Sequence, residues 1–84
     1  MFYVYFIKSK KDSSIYLGST NDLVRRMKEH NTGKSYYTKD KYPYELVYYE
    51  AYKIEKDARL RESNLKRFAQ AYSQLKKRIK YSLE

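Results

Sequence analysis

Phe2-Tyr3-Val4-Tyr5-Phe6-Ile7 is an unbroken run of β-branched and aromatic residues, the pattern of a strand covered on both faces. The polar stretch Ser9 to Ser14 ends it. Ile15-Tyr16-Leu17 reads as a second strand closing at Gly18, so the two form an antiparallel hairpin. Alternation puts Tyr3, Tyr5 and Ile7 on one strand face and points Tyr16 opposite to Ile15 and Leu17. Outward from the hairpin, Ser19-Thr20-Asn21-Asp22 offers several N-caps for a helix whose apolar stripe is Leu23, Val24 and Met27, with Gly33 as its C′ residue. Residues 34–43 form a polar, aromatic loop holding the single proline, Pro43, and Glu45-Leu46-Val47-Tyr48-Tyr49-Glu50 is a third strand. From Glu55 to Ile79 the spacing of Ala58, Leu65, Phe68, Tyr72, Leu75 and Ile79 is helical, as one helix or as two with a break near residues 69–72. The expected fold is α/β of the α+β kind, a small antiparallel sheet flanked by helices.

Eighty-four residues allow one domain with a small core. The absence of cysteine excludes a disulfide framework, a thiolate zinc site and a cysteine nucleophile, and a lone histidine excludes a multi-histidine metal cage. No apolar run approaches the roughly 20 residues of a membrane span, so a soluble cytoplasmic protein is expected. The net charge is +9, and 12 tyrosines make up most of the aromatic content. Lys and Arg release phosphate counterions and tyrosine rings stack on bases, so nucleic acid is the expected partner, and a membrane surface is not. The charge is uneven. Residues 1–52 carry +3 (nine Lys/Arg, six Asp/Glu), whereas residues 53–80 carry +7 (ten against three).

A few residues stand out from a purely structural role. Glu62 follows Ala58 by four residues and precedes Leu65 by three, which sets its carboxylate on the apolar stripe of its helix. A carboxylate there needs a cation, an intrahelical pair with Lys66, or a boundary position half in solvent. Arg26 and His30, four apart, share a helix face just off the stripe, while Arg25 points to solvent. A solvated cation and a helix-terminal histidine are the structural alternatives. Tyr5 and Tyr16 lie on the hairpin, where aromatics ordinarily pack across strands. Tyr36 and Tyr37 either stack on an unpaired base or pack within their loop.

In register, these positions resemble the GIY-YIG nuclease domain of homing endonucleases and of the bacterial excinuclease subunit that makes the 3′ incision. Tyr3-Val4-Tyr5 stands at the first motif and Tyr16-Leu17-Gly18 at the second. Arg26, ten residues after Tyr16, matches the catalytic arginine; His30 matches a position filled by His or Tyr; Glu62 matches the single metal-binding glutamate. The likeness spans residues 2–80 and is nearest to small stand-alone members related to the excinuclease domain. Three positions depart from it. Tyr3 replaces the glycine of the first motif, Ser19 stands where the excinuclease has lysine, and Gln74 falls near the late asparagine of the family.

The resemblance implies a three-stranded antiparallel sheet flanked by helices and a metal-dependent DNA endonuclease, with Mg²⁺ or Mn²⁺ on Glu62, in DNA repair or recombination. It implies Arg26 on the phosphate oxygens, Tyr16 as general base, Tyr5 orienting water or phosphate, and His30 assisting proton transfer. On solution pKa values alone His30 is the easier base than a phenol. Arg25, Lys66, Arg67, Lys76 and Lys77 are expected to track phosphates, which positions a nucleic acid without reading its sequence. Specificity is then low, or set by DNA structure, a second copy of the chain or a protein partner. The competing readings are a catalytically silent nucleic-acid-binding module of the same fold and a small basic structural protein.

Overall fold

The computed structural model describes residues 1–84. Three antiparallel strands, β1 (Phe2–Ser9), β2 (Ile15–Thr20) and β3 (Tyr44–Tyr52), form a sheet in the order β2-β1-β3. The central position of β1 explains its unbroken apolar run: Val4, Tyr5, Phe6 and Ile7 are all buried, because helices cover both faces of that strand. Helix α1 (Leu23–Asn31) joins β2 to β3, and α2 (Glu55–Arg67) and α3 (Ala69–Arg78) follow β3. The three-stranded antiparallel sheet with flanking helices agrees with the expected fold.

Register divides the side chains between the two faces. Tyr5 opposes Gly18 and Ile7 opposes Tyr16, so Tyr5, Ile7 and Tyr16 share one face. That face packs with Leu23 and Met27 of α1 and Tyr44 of β3. Val4 and Phe6 point the other way and pack with Ala58 and Leu65 of α2 and Leu75 and Ile79 of α3. On that second side Arg61 of α2 donates to Glu50 of β3 through Nε (2.9 Å) and Nη2 (3.1 Å), with Tyr48 Oη donating to the same carboxylate at 2.7 Å.

Asp22 caps α1 by accepting from the Arg25 backbone N–H at 3.0 Å. Gly33, at φ +76°, ends the helix in the left-handed conformation and lets the Lys34 N–H reach Glu29 O at 3.1 Å. Two details of α1 differ from the sequence reading. Val24 is 82% exposed and lies off the stripe, whereas His30 completes it behind Leu23 and Met27 and has no exposed surface. His30 is therefore not a solvent-facing helix terminus.

The C-terminal helical region is two helices, with the break at Phe68 rather than at residues 69–72. Phe68 is extended (φ −112°, ψ 104°), ends α2 and begins α3, and its ring is 53% exposed instead of joining the apolar stripe. Geometry gives the reason. One helix over residues 55–79 would be about 37 Å long, and the longest dimension of the molecule is 28 Å. The bend at Phe68 returns Leu75 and Ile79 to the Val4/Phe6 face, a tertiary gain that no glycine or proline announces.

Candidate functional site

The site is built on the α1 face of the sheet. Tyr5 Oη lies 2.7 Å from His30 Nε2, and His30 Nδ1 lies 2.7 Å from Thr38 Oγ1. Tyr5 is 1% exposed, and His30 and Thr38 are not exposed at all. Burial pushes the Tyr5 phenol up to about 12, with the facing Arg26 guanidinium pulling the other way. Burial, followed by the Arg26 charge, pulls the imidazole down to about 4. The Tyr5–His30–Thr38 chain is therefore neutral at pH 7, and its imidazole has both nitrogens engaged. Burial with both ring nitrogens engaged removes the advantage that a free imidazole has over a phenol as a base.

A pH dependence of stability follows. The unfolded imidazole titrates near 6.5 and the folded one near 4, so between those values the unfolded chain holds the extra proton. This contribution is fully present above pH 6.5 and is lost as pH falls toward 4, about 3 kcal/mol in all. Denaturant midpoints at pH 7 and 4.5 are expected to fall further for the wild type than for His30→Gln. Equal falls would contradict it.

Tyr16 stands beside this chain, half-buried, with its ring centroid 5.2 Å from His30 and 6.4 Å from Tyr5. Gly18 makes that approach possible. A Cβ added there would meet Tyr5 Oη at 2.6 Å and Tyr16 Cε2 at 3.0 Å. Gly18→Ala is expected to drive the phenol off His30 and to cost about 1–3 kcal/mol, read as a lower melting temperature. An unchanged melting temperature would show that Tyr5 has room to give.

Arg26 closes the cluster. Its side chain is 26% exposed. Nη1 donates to Glu29 Oε1 at 2.8 Å and Nη2 to Ser35 Oγ at 3.2 Å. Burial opposes its charge, but Glu29 and the phenols Tyr5 and Tyr16 outweigh that and hold it above its ordinary value. The fork is thus fixed in place, with its charge directed at the phenols.

Glu62 arrives from the other side of the sheet, on α2. Its carboxylate, 21% exposed, accepts from Ser19 Oγ at 2.8 Å and from Lys66 Nζ at 2.9 Å. The intrahelical pair and the boundary position both hold. Its negative charge is also close enough to raise the Tyr5 phenol. Ser19 is the link between the halves: it carries Glu62 and, with Arg26, Arg25, Glu29 and Tyr3, lines a cavity of about 340 Å³. No group of three His, Cys, Asp or Glu side chains forms a metal cage. One carboxylate beside a hydroxyl that lines a polar cleft does fit Mg²⁺ or Mn²⁺, because hard cations take oxygen donors and Mg²⁺ fills most of its shell with water and phosphate oxygens. Lys66 is half-exposed and can leave such an ion room.

The remaining positions separate. Arg25 is exposed and lines the cleft, whereas Lys66 is outside its lining and pairs with Glu62. Arg67 ends α2 with its guanidinium 5.6 Å from the Phe68 ring centroid. Lys76 and Lys77 lie on α3, which packs on the face away from α1, and Lys76 sits 4.7 Å from the Tyr72 ring centroid. The structure does not bring these two into the cleft. Gln74 also lies elsewhere, lining a second cavity with Arg61 and Arg78. Glu29, Ser35 and Thr38 escaped the sequence reading. Glu29 carried a signal, its position three residues after Arg26; the two loop hydroxyls carried none.

Residues 1–80 match the family model of the GIY-YIG catalytic domain. The UPF0213 protein CPE1444 of Clostridium perfringens is 43% identical over 68 residues, covering 80% of this chain and 72% of its own. The UPF0213 protein YazA of Bacillus subtilis is 36% identical over 72 residues, covering 84% and 73%. The solution NMR structure of the UPF0213 protein BH0048 from Bacillus halodurans is similar over 89% of this chain and 82% of its own, with a TM-score of 0.55 and 36% identity. With Tyr5, Tyr16, Arg26 and His30 gathered on the α1 side of the sheet and matches of this extent, the chain belongs to the GIY-YIG family of nuclease domains.

Proposed function

We propose that this protein is a metal-dependent endonuclease that hydrolyses phosphodiester bonds in DNA with low or structure-based sequence specificity, in repair or recombination. One observation carries the reading: a fixed guanidinium, Arg26, and the hydroxyl that bonds the Glu62 carboxylate, Ser19, line one polar cleft, with the half-buried Tyr16 phenol close to Arg26. The charge of the chain, +9, suits a polyanionic substrate.

Hydrolysis forms a bond from water oxygen to phosphorus, breaks the bond to the 3′ oxygen, takes a proton from the water and delivers one to the departing oxygen. The Arg26 fork binds the non-bridging oxygens, where charge accumulates in the transition state. Tyr16 is the less buried phenol of the pair and accepts the water proton, with the Arg26 guanidinium close by. Tyr5, buried behind it, holds His30 and steadies Arg26 rather than touching water. Glu62 and Ser19 would hold a divalent cation, which supplies positive charge to the phosphate and the leaving oxygen when bound.

Nicking of supercoiled plasmid with Mg²⁺ against EDTA tests this. Cleavage with Mg²⁺ and none with EDTA is expected. A mobility shift under both conditions with nicking under neither would make the chain a silent binding module.

A further inference from the structure

The loop between α1 and β3 is anchored from below and open above. Ser35, 4% exposed, accepts from Arg26, and Thr38, fully buried, bonds His30. Tyr36 and Tyr37, between these anchors, are 75% and 78% exposed. Their rings meet edge to face at 5.3 Å and 89°, and the Lys39 ammonium lies 5.2 Å from the Tyr36 centroid. A single exposed tyrosine requires no explanation. Two consecutive rings turned to solvent, on a segment fixed at both ends by buried hydroxyls, form an exposed aromatic surface. The anchors are also the partners of Arg26 and His30, so the rings stand one residue, roughly 3.8 Å of backbone, from groups that touch the site.

We propose that Tyr36 and Tyr37 form a stacking platform for unpaired nucleobases of the strand whose phosphate enters the Arg26 site, so that a strand with an unpaired base beside the scissile bond is bound in preference to continuous duplex. This rests on the nuclease reading above and adds the substrate class to it. An unpaired base offers an open π-face that either ring can cover, whatever its identity, whereas bases in a continuous duplex have their faces occupied by their neighbours. Lys39 sets a cation beside the platform, where the phosphate of a stacked nucleotide needs one.

The test is fluorescence anisotropy in EDTA with one labelled oligonucleotide presented as a single strand, as a bulged duplex, as a flap and as a continuous duplex. Wild-type protein is expected to bind the forms with an unpaired base more tightly than the duplex. The double variant Tyr36→Ala/Tyr37→Ala is expected to lose about 10-fold or more on those forms with duplex binding unchanged, and Tyr36→Phe/Tyr37→Phe to retain the preference. A 2-aminopurine at the unpaired position is expected to be quenched by wild type and not by the alanine variant. Both rings are exposed, so the circular dichroism of the variants should match wild type. Equal binding of all forms by wild type, or equal loss on all forms in the alanine variant, would overturn the platform. The readout needs no turnover: a platform that binds in EDTA alongside a protein that never cuts with Mg²⁺ would remove the nuclease reading alone.

Discussion

Glu62→Ala is expected to lower the rate of Mg²⁺-dependent cleavage by about 10³-fold or more. Glu62 is the one carboxylate bonded to Ser19 at the cleft, and no neighbouring acid completes a cage that could hold the ion without it. The fold should survive. The residue is on the boundary of α2, alanine favours helix, and the change removes two hydrogen bonds at a partly solvated position while Ser19 and Lys66 remain accessible to water. Single-turnover cleavage beside thermal unfolding checks both halves. Cleavage at the wild-type rate would reject Glu62 as the metal ligand.

Tyr16→Phe is the second large effect, a loss of about 10²–10⁴-fold in the chemical step, with little change in stability because the hydroxyl has no protein partner among the hydrogen bonds of the cluster. Tyr5→Phe should behave in the opposite way. It leaves a buried imidazole nitrogen without its partner, so it costs about 1–3 kcal/mol of stability and disturbs cleavage only through His30 and Arg26. Comparing the two variants by melting temperature and by cleavage rate separates the half-buried phenol from the fully buried one. An unimpaired Tyr16→Phe enzyme would remove Tyr16 from proton transfer.

Much of this was legible in the residues. The run Phe2 to Ile7 announced a strand covered on both faces because such a strand has no polar alternation to show, and the Ser19–Asp22 cluster announced the start of α1. The motif register also picked out Tyr5, Tyr16, Arg26, His30 and Glu62, which the structure brings to one region. What the sequence concealed was tertiary. The break at Phe68 comes from the need to fold α3 back over Val4 and Phe6, not from a local breaker. The burial of His30 depends on a loop that closes over it, and Ser35 and Thr38 look like ordinary loop hydroxyls until Arg26 and His30 are found beneath them. Charge was misleading in one respect: Lys76 and Lys77 belong to the most basic third of the chain, yet α3 carries them away from the cleft.

The central claim is that an acid from one side of the sheet and a guanidinium from the other act on the same phosphate. A double-mutant cycle of Glu62→Gln and Arg26→Lys, read as single-turnover cleavage with Mg²⁺, addresses it directly. Groups that work as a unit on one transition state lose activity non-additively, so the double variant should be much less impaired than the product of the two single losses. Losses that multiply would mean that Glu62 and Arg26 act independently, and the shared site would fall.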